Sequence, residues 1–128
     1  MALIVPNEAE TIMLQRILGV DVRLKLFTND ITPAETTVLA DLTEASGSGY
    51  ADKQLATGNW SYDFDAGDAR ASYSQQDFVF TGAQTLYGYY VTDNPATKIL
   101  WVERFPDAPW IIPAGGGSAR VTPKIKLG

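Results

Sequence analysis

Residues 21–28 read DVRLKLFT, and this stretch decides the fold class. Val22, Leu24 and Leu26 alternate with Arg23, Lys25 and Phe27, a period of two that places successive side chains on opposite faces of a strand. The period just upstream is different. Met13, Leu14, Ile17 and Leu18 recur at helical spacing, with Gln15 and Arg16 on the polar side. Pro6 and Asn7, followed by acidic Glu8 and Glu10, suit the positive end of a helix dipole. Gly19 is expected to close that helix in the left-handed conformation. The change from 3.6 to 2 at Gly19 divides the chain into an arm with a short helix, residues 1–20, and a β domain, residues 21–128.

Downstream, Asn29 and Asp30 end the first strand with turn chemistry and Pro33 keeps it from resuming. Residues 31–58 carry little pattern. Leu39 and Leu42 suggest a short ordered piece, residues 44–49 (EASGSG) a loop, Tyr50 an aromatic anchor, and residues 53–56 a short strand. Five further segments read as strands. Residues 59–64 place Trp60, Tyr62 and Phe64 on one face, with Phe64 expected to point inward. Residues 71–81 carry Tyr73, Phe78 and Phe80, and Gln75-Gln76 shifts the alternation by one residue, as a β-bulge does. Residues 86–92 (LYGYYVT) are aromatic on both faces, and residues 99–105 alternate Ile99, Trp101, Glu103 and Phe105 against Leu100, Val102 and Arg104. Residues 120–127 alternate too, but Pro123 consigns that strand to an edge or a bulge. Turn clusters separate these segments at intervals of roughly 10 to 15 residues, and no second long helical pattern appears. The expected fold is all-β: an antiparallel β-sandwich of jelly-roll type with one short N-terminal helix.

Composition limits the chemistry. The 128 residues contain no Cys and no His, which excludes disulfides, Cys- or His-based metal sites and Ser-His or Cys-His catalytic pairs. The net charge of −5 argues against a duplex-DNA binder, which needs a basic face. The opening MALIVPNEAE lacks the basic start of a signal peptide, and no apolar run is long enough to span a membrane. The expectation is a chain that is not an enzyme, takes no cofactor and binds neither nucleic acid nor membrane.

Four local features invite functional readings. Asp63, Asp65 and Asp68 flank a Gly turn and offer oxygen ligands for Ca²⁺, but their spacing is not that of an EF-hand, and a solvated hairpin tip accounts for them as well. Glu103 is a candidate carboxylate for glycoside chemistry; an exposed cross-strand ion pair is the plainer reading. Trp60, Tyr62, Tyr73, Tyr87, Tyr89, Tyr90, Trp101 and Trp110 suit either sugar or base stacking or a packed core. Residues 114–119 (AGGGSA) lack the Lys-Ser/Thr ending of a phosphate loop. Arg120, Lys124 and Lys126 form the one local basic excess, suited to an acidic neighbour or to protecting a sheet edge.

Several stretches together resemble a group of small structural proteins of tailed-phage virions: MALIVPN, LKLFTNDITPAE (24–35), EASGSGY (44–50), FTGAQTLYGYYVTD (80–93), LWVERF (100–105) and RVTPKIKL (120–127). The resemblance implies a capsid decoration or cement protein, made in the bacterial host cytoplasm and located on the capsid exterior. It implies contact with the major capsid protein and with other copies of itself as a homotrimer. The expected contact residues are Ala2, Leu3, Ile4, Val5, Trp101 and Trp110, with the arm able to add a strand to a neighbouring sheet. A tail, neck or fibre protein of the virion and a carbohydrate-binding module are the alternatives.

Overall fold

The computed structural model describes residues 3–127. It is a mostly β, sandwich-like fold with a single α-helix among the described residues. Helix α1 (Asn7–Ile17) begins behind an extended Pro6, whose missing amide costs nothing where no partner is needed. Glu8 and Glu10 lie in its first turn and Arg16 in its last, each at the favourable end of the dipole. Leu14 and Leu18 are fully buried against the sheets, but Met13 and Ile17 are exposed, so half the sequence stripe faces solvent. Gly19 is not left-handed. The helix ends at Leu18 (φ −94°, ψ 9°), whose amide bonds back to Leu14, and a Cβ on Gly19 would sit 3.2 Å from the Gln15 carbonyl.

Strand β1 (Val22–Phe27) lies between β2 (Lys53–Leu55) and β7 (Gly88–Asp93), with β8 (Ile99–Arg104) beyond β7. All pairs in this four-stranded sheet are antiparallel. Its register puts Leu24 opposite Val91 and Leu26 opposite Tyr89 on the main core face. The other face is not solvated. Lys25 pairs with Tyr90 and Phe27 with Gly88, and Phe27, Leu42 and Tyr90 form a second small core under the excursion between β1 and β2. Strand β1 is therefore covered on both faces: the loop that sequence patterning leaves blank supplies its second cover. A 3₁₀ turn at Leu39–Asp41 shapes that cover, its entry held by the Val38 amide on the Asp41 carboxylate (3.0 Å).

Opposite this sheet lie β3 (Ser61–Asp65), β4 (Asp68–Ser72) and β11 (Lys124–Leu127) in the order β11-β4-β3, then β5 (Gln76–Phe80) with β10 (Gly117–Val121). A short pair, β6 (Gln84–Leu86) with β9 (Trp110–Ile112), completes the fold. Three stretches that read as single strands are each broken in two. Residues 68–80 run antiparallel to 117–127 as one bent ribbon. Gln76 faces Val121 and Ser72 faces Lys124, so three residues (73–75) oppose two (122 and 123). The extra residue is the shift expected at Gln75-Gln76, and it inverts the inward set from Ala69, Ala71 and Tyr73 to Phe78 and Phe80. Pro123 breaks the partner strand at the same joint, because it has no amide for the ladder. Residues 86–92 divide at Tyr87, where the chain leaves β9 for the main sheet.

Candidate functional site

The residues singled out by sequence fall into separate places. Ala2 lies outside the described residues. Leu3 and Ile4 are 92% and 78% exposed, and Val5 is 40% exposed, as an arm without regular structure ahead of α1. Trp101 is half-buried on the core face of β8, edge-on to buried Trp60 (centroids 5.9 Å apart). Trp110 is half-buried and stacks on Phe105 (3.6 Å, 3°), and its Nε1 donates to the Asp107 carboxylate (2.6 Å). The three tryptophans are engaged by neighbours within the chain and form no coplanar exposed platform for a sugar ring.

The acidic hairpin tip is tied by cations. Arg70 donates to both Asp63 oxygens (2.9 and 2.7 Å), holding that carboxyl below the usual range, and Lys126 lies 3.7 and 3.5 Å from Asp65 and Asp68. Among the described residues no three acidic groups converge on a metal position. Phe64 stands opposite buried Ala69 on the inward face of β3, as expected, but it is 51% exposed, because the core covers that face only at the Trp60 end. Glu103 is exposed and stands opposite Tyr89, not opposite a base; its neighbour Arg104 turns to Asp30 (2.6 Å) and lies over the Tyr87 ring (5.2 Å).

Sequence reading missed the best-built polar cluster. Lys25, on the second face of β1, reaches Glu44 (3.2 Å) and Asp52 (3.0 Å), and Arg23 meets the other Asp52 oxygen (3.3 Å). The Tyr50 hydroxyl donates to Glu44 (2.8 Å) and accepts from the Leu26 amide (3.3 Å), while its ring stacks near Phe78 and Phe80. Glu44 and Asp52 come from the patternless excursion, so only the fold brings them to Lys25. Burial opposes the Lys25 charge, but the bonds to Asp52 and Glu44 outweigh it and raise its pKa. Burial likewise raises Tyr50 and Tyr90 and pushes Tyr89 up to about 12. All four shifts are upward from unfolded values near 10, so their stabilisation is complete below that pH and is lost as pH rises above it. Urea midpoints are expected to hold to about pH 9 and fall steeply by about pH 11, and Tyr50→Phe is expected to flatten that fall. A midpoint unchanged across this range would contradict the assignment.

No family model, curated protein or solved structure matches the chain. Two surfaces of the molecule are distinctive. The first is apolar: the arm together with Ile12, Met13, Ile17 and Val20, all exposed within one short stretch of chain. Met13 and Ile17, at i and i+4, lie along one side of α1, and Val20 follows just beyond its end. The second is the open margin of the sandwich. There β8 ends one sheet, β11 ends the other, and a cleft of about 250 Å³ lies between them, lined by Asp65, Arg70, Glu103, Lys124 and Lys126.

Proposed function

We propose that this protein is a non-enzymatic structural component of a tailed-phage virion, a decoration protein that binds the assembled capsid lattice from outside and stabilises the head. The observation that carries the proposal is the exposed apolar surface over residues 3–20. A monomer in water gains nothing from leaving Leu3, Ile4, Met13, Ile17 and Val20 exposed, and grouped apolar exposure of this kind marks an association surface. The sequence resemblance supplies the class of partner. A protein that binds the closed shell and not its separate subunits stabilises the shell by mass action, and repeated symmetric copies multiply a weak contact.

The test is co-sedimentation with capsids of the phage that encodes the chain. The native protein is expected to pellet with expanded capsids, and Met13→Asp/Ile17→Asp to weaken pelleting about 100-fold, as losing two buried apolar side chains implies. These side chains are exposed in the free protein, so the variant should fold. Failure of native protein to pellet with capsids, combined with pelleting on purified tails, would transfer the role to the tail.

A further inference from the structure

We infer that residues 3–5 of one copy add as a strand to the free edge of β11 in a second copy, joining copies of this chain through exchanged arms. The backbone supplies the acceptor. The Tyr73 amide donates to the Pro123 carbonyl (3.0 Å), and Ser72 stands opposite Lys124. Antiparallel alternation then turns the amides and carbonyls of Ile125 and Leu127 toward β4, and those of Lys124 and Lys126 toward the outer margin. The Lys124 carbonyl accepts from the Tyr89 hydroxyl (3.2 Å). The Lys124 amide and both backbone groups of Lys126 have no intrachain backbone partner among the described residues. An unpaired edge of this kind is a template for another strand.

The side chains at that edge are unfinished in the same sense. The inward pair of β4, Ala69 and Ala71, is fully buried, but the inward pair of β11, Ile125 and Leu127, is only half-buried although packed against the same core. The core is open on this side, and a strand laid along β11 would cover it with alternate apolar side chains. The arm offers Leu3, Ile4 and Val5, exposed and with no backbone hydrogen-bond partner in its own chain among the described residues. Charge agrees with the pairing. Glu8 and Glu10 follow the arm, Lys124 and Lys126 project from the edge, and Lys124 has no ion-pair partner among the described residues.

The donor and acceptor lie close together on one copy. The Ala69 amide approaches the Glu10 carboxylate (3.5 Å), and Ala69 pairs with Leu127. Pro6 is extended (φ −63°, ψ 158°), so the arm leaves the helix instead of folding back on it. A donor root beside the acceptor edge suits a small closed ring, in which each arm crosses to the next copy. This inference concerns free protein without particles, so it stands or falls separately from the virion reading.

The experiment is light scattering on the full chain over a dilution series, beside Leu3→Asp/Val5→Asp and Lys126→Pro. The native chain is expected at a small multiple of 13.9 kDa, and both variants at 13.9 kDa with unchanged circular dichroism. The pairing is then read directly. With Leu3 and Val5 over Leu127 and Ile125, Ile4 lies opposite Lys126 on the outer face; the chain has no Cys, so a mixture of Ile4→Cys and Lys126→Cys chains has only these thiols, and such cross-strand neighbours lie within disulfide reach. Oxidation is expected to give a mixed dimer of the two variants well above either self-dimer. A native monomer would overturn the inference. So would a multimer whose mass Leu3→Asp/Val5→Asp leaves unchanged, or a mixture that gives no mixed dimer.

Discussion

Gly88→Ala is expected to destabilise the protein by about 3 kcal/mol, at the upper end of what overpacking costs. Gly88 sits in β7 opposite Phe27 on one side and Arg104 on the other. A Cβ there would penetrate the Glu103 carbonyl oxygen and come within 2.5 Å of two carbons of the Phe27 ring. The carbonyl belongs to the adjacent strand, so it cannot yield without opening the sheet between β7 and β8. Alanine restricts the unfolded chain and recovers about 0.5–1 kcal/mol, too little to offset the clash. Urea denaturation measures the loss directly, and a midpoint equal to that of the native protein would show that the sheet absorbs the methyl group.

Phe27→Ala is expected to cost about 3–5 kcal/mol, the usual range for a large buried aromatic. Phe27 is fully buried, packs on Tyr90 (centroids 6.3 Å apart) and is a principal contact beneath the excursion that carries Leu42. Its loss should loosen residues 31–44 before the main core, visible as faster amide exchange at Leu42 and Thr43 than at Leu24 or Val91. Because the ring lies over Gly88, the two substitutions should not be additive. The double variant is expected to lose less than the sum of the two, since removing the ring relieves one of the two clashes. Additive losses would mean that the Glu103 carbonyl alone sets the cost at Gly88.

Much of the fold was legible where one local force dominates. The change of period at Gly19 marks the border between helix and sheet, although Gly19 itself is not left-handed. The alternation in residues 22–27 predicts the central strand, and the register shift before Phe78 predicts the extra residue at 73–75. The aromatic coverage of both faces in residues 86–92 is also seen, with Tyr89 in the main core and Tyr90 in the second. Breaks inside apparently continuous strands were not legible. At Tyr87 nothing local announces the change of sheet, because the turn is forced by pairing with Phe27 and Phe105 from distant strands.

The candidate surfaces divide in the same way. Sequence by itself determined that the chain lacks Cys and His, that its opening residues are apolar, and that Lys124 and Lys126 alternate with apolar residues on a strand interrupted by proline. Each follows from residue identity and spacing alone. Only the tertiary structure decided that Phe64 is left uncovered, that Trp101 and Trp110 are held by intrachain packing, and that Lys25 meets Glu44 and Asp52 across a buried face. Exposure depends on which residues remote in sequence arrive to cover a side chain, and that is set by long-range pairing. The open margin between β8 and β11 is the clearest instance: an edge exists only once the strand order of both sheets is known.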